Sequence, residues 1–224
     1  MPRRKKTRTT STSSGFSGDA PTASRSARKL RLVRQQVASE AARIMATEGQ
    51  RNYMAAKRKA AERIGVNPRS ALPSNIEVEQ ALRAYQGLYG GERHFRHLHH
   101  LREIAVRAMR FLERFCPRLV GPVLDGTADN HSRVSLHLFN DPPEAIVMHL
   151  QELGIPFRQE QRKIRWHNGG HRMIQLLVTE MDGTVLELAL FSDLDLRQAP
   201  PSPVDGRPQK RAPLTVVEEL LTAA

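Results

Sequence analysis

The sequence has one cysteine, one tryptophan and no long apolar run. A single thiol, Cys116, excludes an internal disulfide framework and a multi-cysteine zinc site. It fits a reducing compartment, and its place after Phe115 at the end of an apolar helical stripe predicts a buried, unreactive thiol. A membrane-spanning helix needs about 18 or more uninterrupted apolar residues, and no window approaches that. The opening MPRRKKTRTT leads into STSSGFSGDAPTAS without the apolar core of a secretory signal, so the expected location is cytoplasmic. Aromatics are 5% of residues against 39% apolar overall, so the core must be built from Leu, Val, Ile, Met and Ala. Also missing are a Gly-x-x-x-x-Gly-Lys-Ser/Thr phosphate loop, a Gly-x-Ser-x-Gly elbow and a His-Glu-x-x-His helix. Their absence removes the usual signatures of P-loop, serine-hydrolase and zinc-protease chemistry.

What is abundant is positive charge, and it is unevenly placed. Residues 1–116 hold 24 of the 35 Lys and Arg but only 9 of the 23 acids, whereas the remainder is slightly acidic. A polyanion attracted to this chain should meet the first half, where counterion release favours binding. Two cationic clusters are the candidates for nucleic-acid contact: Arg3, Arg4, Lys5, Lys6 and Arg8 in the tail, and Lys57, Arg58, Lys59 and Arg63 on a helix.

The pattern along the chain divides it into three parts. Residues 1–25 are rich in Ser, Thr and basic side chains and predict a disordered tail, since they lack the apolar area to offset ordering entropy. Residues 26–116 predict a helical region. Leu30, Val33, Val37, Ala41 and Ile44 recur at helical spacing. A second helix spans about 52–64. A third is capped by Ser74 or Asn75, with Ile76, Val78, Leu82 and Tyr85 inward, and ends at Gly90-Gly91. A fourth spans about 92–116 on the stripe from Phe95 to Phe115, and together the four suggest a small bundle or a helical platform. Residues 117–224 predict a small α/β domain, making the whole an α+β chain. Leu119 to Leu124 reads as a strand, and the alternation of Val134, Leu136 and Leu138 with Arg133, Ser135 and His137 marks a second with one buried face. A helix from Pro143 to Leu153, capped by Asp141, precedes strands near 157–166, 173–179 and 185–191. Asp182-Gly183 is the hairpin turn between the last two, and 214–221 closes the chain as a helix.

The run GPVLDGTADNHSRVSLHLFND, followed by a helix and then GTVLELALF, resembles the core of the polymerase-beta-like nucleotidyltransferase superfamily over residues 119–191. In that family a strand ends in a Gly-Ser turn that holds nucleotide phosphate, the next strand carries Asp-x-Asp for metal ions, and a later strand supplies a third carboxylate. The resemblance implies a mixed-sheet nucleotidyltransferase-like domain. Gly126-Thr127 then matches the Gly-Ser turn, Arg133 and Ser135 stand at the paired aspartates, and Glu187 takes the third position. Two-metal phosphoryl transfer needs hard oxygen ligands converging on Mg²⁺. An arginine and a serine do not supply them. The expected member is degenerate: Gly126, Thr127, Arg133, Ser135 and His137 bind nucleotide without a metal site, and Glu187 is the one candidate catalytic residue. Mg²⁺ enters as a cofactor only if the protein is catalytic.

Other residues carry weaker signals. His94 and His97 share a helix face near His99 and His100, but no third ligand stands at the right spacing, so no metal site is expected. Asp125 and Asp129 are turn aspartates, which usually serve the backbone. Arg133, Ser135 and His137 also suit the polar outer face of an antiparallel sheet. Two functions follow: a nucleotidyltransferase-like protein binding nucleotide or RNA, or a non-enzymatic adaptor whose basic helices and tail bind a protein partner or nucleic acid.

Overall fold

The computed structural model describes residues 20–67 and 72–222, with side chains from residue 25. The tail cluster Arg3, Arg4, Lys5, Lys6 and Arg8 lies outside the described residues. Helix α1 runs Ala20–Glu48, so helical structure begins within the segment expected to be disordered. Helix α2 is Tyr53–Ile64, α3 Asn75–Tyr89 and α4 Gly91–Phe111. Asn52 caps α2 by accepting the Ala55 N–H, and left-handed Gly65 ends it. Ser74 caps α3 reciprocally with Glu77 in a capping box.

Three of the four helices share a core. Val37, Ala38, Ala41, Ala42 and Ile44 of α1 pack with Ala56, Ala60 and Ala61 of α2 and Val78 and Leu82 of α3. Alanine dominates because small side chains let helix axes approach closely and lose no rotamer entropy on burial. Ile76, expected inward, is exposed instead, and Tyr85 is only half-buried.

The stripe of α4 has a different partner. Leu98, Leu101, Ala105, Met109 and Leu112 join the core of the sheet rather than that of the other helices. Beyond Phe111 the chain tightens into a 3₁₀ turn, Glu113–Phe115, closed by Cys116 at φ 46°. This left-handed reversal buries Phe115 but leaves Cys116 exposed, against the expectation of a buried thiol.

The strands are β1 (Arg118–Val120), β2 (Val134–Phe139), β3 (Arg158–Arg165), β4 (His171–Met181) and β5 (Thr184–Phe191). They form one mixed sheet in the order β1-β2-β5-β4-β3, in which only β2 and β5 run parallel. β1 is shorter than expected because Gly121 turns at φ 73° and Pro122 opens a one-turn helix, α5 (Pro122–Asp125). Helix α6 is Glu144–Glu152 and has no side-chain cap, so Asp141 does not serve as one. Asp182 and Gly183, both at positive φ, make the expected β4–β5 hairpin turn. Helix α7 is Leu214–Thr222.

One sheet face carries Val134, Leu136, Leu138, Leu186, Leu188 and Leu190 and is covered by α4, α6 and α7. The other carries Ser135, His137 and Phe139 of β2 beside Glu187, Ala189 and Phe191 of β5. That second face is not an open polar surface, since His137, Glu187, Phe139 and Phe191 are all buried.

Candidate functional site

The second sheet face floors a cleft of about 1080 Å³. Its walls are Tyr53 of α2, Ile76, Glu79 and Arg83 of α3, and the irregular segment 200–210. The helical unit is held across the cleft by specific contacts. Gln86 Nε2 donates to the Thr127 carbonyl at 2.8 Å, Asn75 Nδ2 donates to the Pro203 carbonyl at 2.6 Å, and Arg51 donates to the His131 carbonyl. Gly49, at φ 66°, lies so close to His131 that an added Cβ would sit 2.8 Å from the ring. The chain therefore leaves α1 flush against the loop that feeds β2.

At the centre of the floor, Ser135 and Glu187 are paired in register on adjacent parallel strands. Glu187 is 4% exposed and is surrounded by three guanidinium groups. Arg133 donates to Oε1 at 2.8 Å, Arg162 donates to Oε2 at 3.1 Å, and Arg51 stands 3.7 Å from Oε1. All three arginines line the cleft and remain partly exposed. One carboxylate against three guanidiniums leaves the floor electropositive. This donor set does not fit Mg²⁺: both oxygens of Glu187 are engaged by cations, and a divalent ion beside Ser135 would face the same arginines with no second carboxylate to balance them. Among the described residues, no group of three His, Cys, Asp or Glu side chains is placed to hold a metal ion.

His137, 7% exposed, sits two residues further along β2. Its Nδ1 accepts from Arg211 Nε at 3.0 Å, and its ring lies 4.6 Å from that of Phe191. Arg211 stacks over Phe139 and Phe191 at 4.9 and 5.1 Å and donates Nη1 to the Asp195 carbonyl at 2.6 Å. Burial, then the charges of Arg211 and Arg162, push the His137 pKa down to about 3. The imidazole is therefore neutral, and because Arg211 can only donate, the ring proton sits on Nε2. His137 is not a second phosphate-binding cation.

Two acids and a phenol complete the walls. Asp125 is half-buried, and burial raises its carboxyl pKa. The Tyr53 phenol is pushed up to about 12 by burial and stays protonated. Asp129 is used locally, accepting from the Ser132 hydroxyl at 2.8 Å and the His131 N–H at 2.9 Å.

The structure separates other expected site residues from the cleft chemistry. The amides of Gly126 and Thr127 both donate to the Pro122 carbonyl, closing α5, so neither is free for a phosphate. The turn that directly follows β1 is Gly121-Pro122, and Pro122 has no N–H to offer. Imidazoles of His94 and His97 meet the Gly126 and Asp129 carbonyls at 3.3 and 3.0 Å, bracing that loop. On α2, Lys57 is buried with Nζ donating to the Pro73 carbonyl at 2.8 Å. Lys59 pairs with Glu48 and Arg63 with both Glu40 and Glu48. The expected cationic face of α2 is thus largely neutralised, with Arg58 its exposed remainder.

Arg51, Arg162 and Arg211 are site residues that the sequence did not mark. β3 reads RQEQRKIR, with no apolar alternation to show which face Arg162 takes. Arg51 and Arg211 lie in connections, where periodicity says nothing. Comparison with protein-family models, with curated proteins and with solved structures found no match to this chain.

Proposed function

We propose that this protein is a nucleotidyltransferase-like binding protein that takes a phosphorylated ligand, a nucleotide or an RNA end, into the cleft between helices α1–α3 and the sheet without using a metal pair. The observation that carries the reading is the convergence of Arg51, Arg133 and Arg162 on Glu187. Guanidinium groups match phosphate geometry bidentately and stay charged at all working pH values. Arg133 occupies a position where the resemblance expects a metal-binding aspartate, so its side chain brings fixed positive charge where that family recruits Mg²⁺. The cleft volume suits one nucleotide with room for a segment of a longer chain.

The polyanion surface belongs on α1 rather than α2. Arg25, Arg28, Lys29 and Arg31 are exposed in the N-terminal part of α1, before its buried stripe begins at Val37. These cations share one side of the helix, away from Leu30, and the charged face they make suits the repeated phosphates of nucleic acid. Labelled nucleoside triphosphate, total cellular RNA and Mg²⁺ or Mn²⁺ test the reading. Filter retention of the nucleotide on the protein in EDTA, with no label transferred to RNA, is the expected result. Label on RNA that requires the divalent ion would overturn it.

A further inference from the structure

We infer that the outer edge of β3 pairs with the same edge of a second copy of this chain, antiparallel and centred on Gln161, so that two sheets become one. The inference is independent of what the cleft binds.

β3 ends the sheet and pairs only with β4 among the described residues. It is eight residues long, and the outward N–H and C=O groups of such an edge are a template for another strand. The hairpin to β4 shows which residues present them. The Trp166 N–H donates to the Gly170 carbonyl at 2.9 Å. By antiparallel alternation, Ile164, Arg162 and Glu160 also turn their backbone groups toward β4, whereas Gln159, Gln161, Lys163 and Arg165 turn theirs outward. Every β3 side chain except Ile164 is exposed, on both faces, so neither layer covers the edge.

A two-fold pairing must set outward-turned residues opposite one another, and the charges then select the register. Centring it on Arg158, Arg162, Lys163 or Arg165 puts a cation against itself. Centring on Glu160 opposes two glutamates, and centring on Ile164 opposes Lys163 and Arg165. Gln159 as the centre pairs only the first few residues. About Gln161, Glu160 faces Arg162 of the second copy, Gln159 faces Lys163, and Arg158 faces Ile164. No like charges are opposed, which is the arrangement that favours cross-strand pairing. Arg162 reaches inward to Glu187, so its attraction to Glu160 acts at longer range than a direct ion pair. Lysine on an edge keeps strands apart, but here the two Lys163 side chains lie roughly 13 Å apart at about 3.3 Å per residue, beyond the Debye length of about 8 Å. The cluster Arg3, Arg4, Lys5, Lys6 and Arg8 fits the edge less well, since β3 itself carries four cations and one acid. Pairing adds roughly six main-chain hydrogen bonds. It sets both cleft faces on the same side of one continuous sheet, with the two Glu187 positions roughly 24 Å apart at about 4.8 Å per strand.

The test is sedimentation velocity of the full chain over a wide range of concentration, with reductant present because Cys116 is exposed. A reversible monomer–dimer equilibrium is expected. Gln161→Pro removes an outward N–H while sparing the β3–β4 ladder, and should leave only monomer. Glu160→Arg sets like charges opposite each other at two symmetric positions and should weaken the dimer about three- to tenfold. Register is read in a Cys116→Ser background with a short bismaleimide. Gln161→Cys should crosslink to itself, and Gln159→Cys should crosslink to Lys163→Cys in a mixture, neither of the last two to its own kind. A dimer that survives both Gln161→Pro and Glu160→Arg, or that crosslinks in another register, overturns the inference. So does a chain that is monomeric at every concentration. In that case an unreactive Gln161→Cys thiol assigns the edge to another segment of the same chain, and a reactive one shows a bare edge. If Gln161→Pro does not fold, Glu160→Arg and the crosslinks decide.

Discussion

Glu187 is the residue on which the chemistry turns, because its carboxylate is the common partner of Arg51, Arg133 and Arg162 at the cleft floor. Breaking a buried ion pair from one side is costly, but these arginines are partly exposed and solvent offsets much of the loss. Glu187→Gln should therefore destabilise the fold by only about 1–2 kcal/mol in urea titrations. The same change frees guanidiniums for a competing anion, so tripolyphosphate affinity should rise. Weaker tripolyphosphate binding by a folded Glu187→Gln would mean that the carboxylate helps to hold the ligand, against the present account. His137 gives a second residue-level expectation. Its ring titrates near 6.5 when unfolded and is held at about 3 when folded, so between those values the unfolded chain binds more protons. Stability from this group is complete above about pH 6.5 and falls as pH drops toward 3, with a limiting slope on the order of 1.4 kcal/mol per pH unit. Asp125, with its raised carboxyl, acts in the opposite sense, so the wild type must be compared with His137→Phe. Urea unfolding at pH 7.5, 5.5 and 4.5 should show a steeper acid loss for the wild type.

At the scale of elements, α3 is the wall that lets the helical unit face the sheet, and its start is fixed by a capping box. Ser74 Oγ accepts the Glu77 N–H at 3.2 Å while Glu77 Oε2 accepts the Ser74 N–H at 2.6 Å. The Ser74 N–H first, and then the Ser74 hydroxyl donating to the same oxygen at 2.8 Å, hold the Glu77 carboxyl below its usual range. Ser74→Ala should lower stability by about 1 kcal/mol, read as a shifted urea midpoint with unchanged slope. Ser74, the Gly90-Gly91 break, the β2 alternation and the Asp182-Gly183 turn were all legible, because each signal acts within a few residues. β1 stops at Val120 rather than Leu124 because Gly121-Pro122 turns the chain between apolar residues that show no break in pattern. Cys116 is exposed because it adopts a left-handed conformation, of which the helical stripe before it gives no notice. Lys57 looked like part of a cationic face, yet it lies beside Ala56 on the buried side of α2 and its ammonium reaches the Pro73 carbonyl. Half of the site was readable from strand parity, which put Arg133, Ser135 and His137 on one face. The other half comes from Arg51, Arg162 and Arg211, which meet it only through tertiary folding, and no local pattern encodes such contacts.

For the whole molecule, the unequal charge of the two halves has a structural counterpart. Most cations of α2 are consumed by Glu40, Glu48 and the Pro73 carbonyl, whereas Arg25, Arg28, Lys29 and Arg31 in the N-terminal part of α1 are exposed. Replacing those four by Gln should weaken binding to single-stranded RNA and reduce the slope of log affinity against log salt, by about 0.7 for each lost phosphate contact. Fluorescence anisotropy between low and moderate salt measures it, and a larger effect from Lys59→Gln/Arg63→Gln would move the surface back to α2. Among the described residues, no helix is long and apolar enough to cross a membrane. The most direct test of the account is the affinity of the full chain for ATP measured twice by calorimetry, in EDTA and in excess Mg²⁺. If guanidinium groups hold the phosphates, binding persists in EDTA and is no weaker than with Mg²⁺, which competes for the same oxygens. Binding seen only when the divalent ion is present would contradict a metal-free site built on Arg51, Arg133 and Arg162.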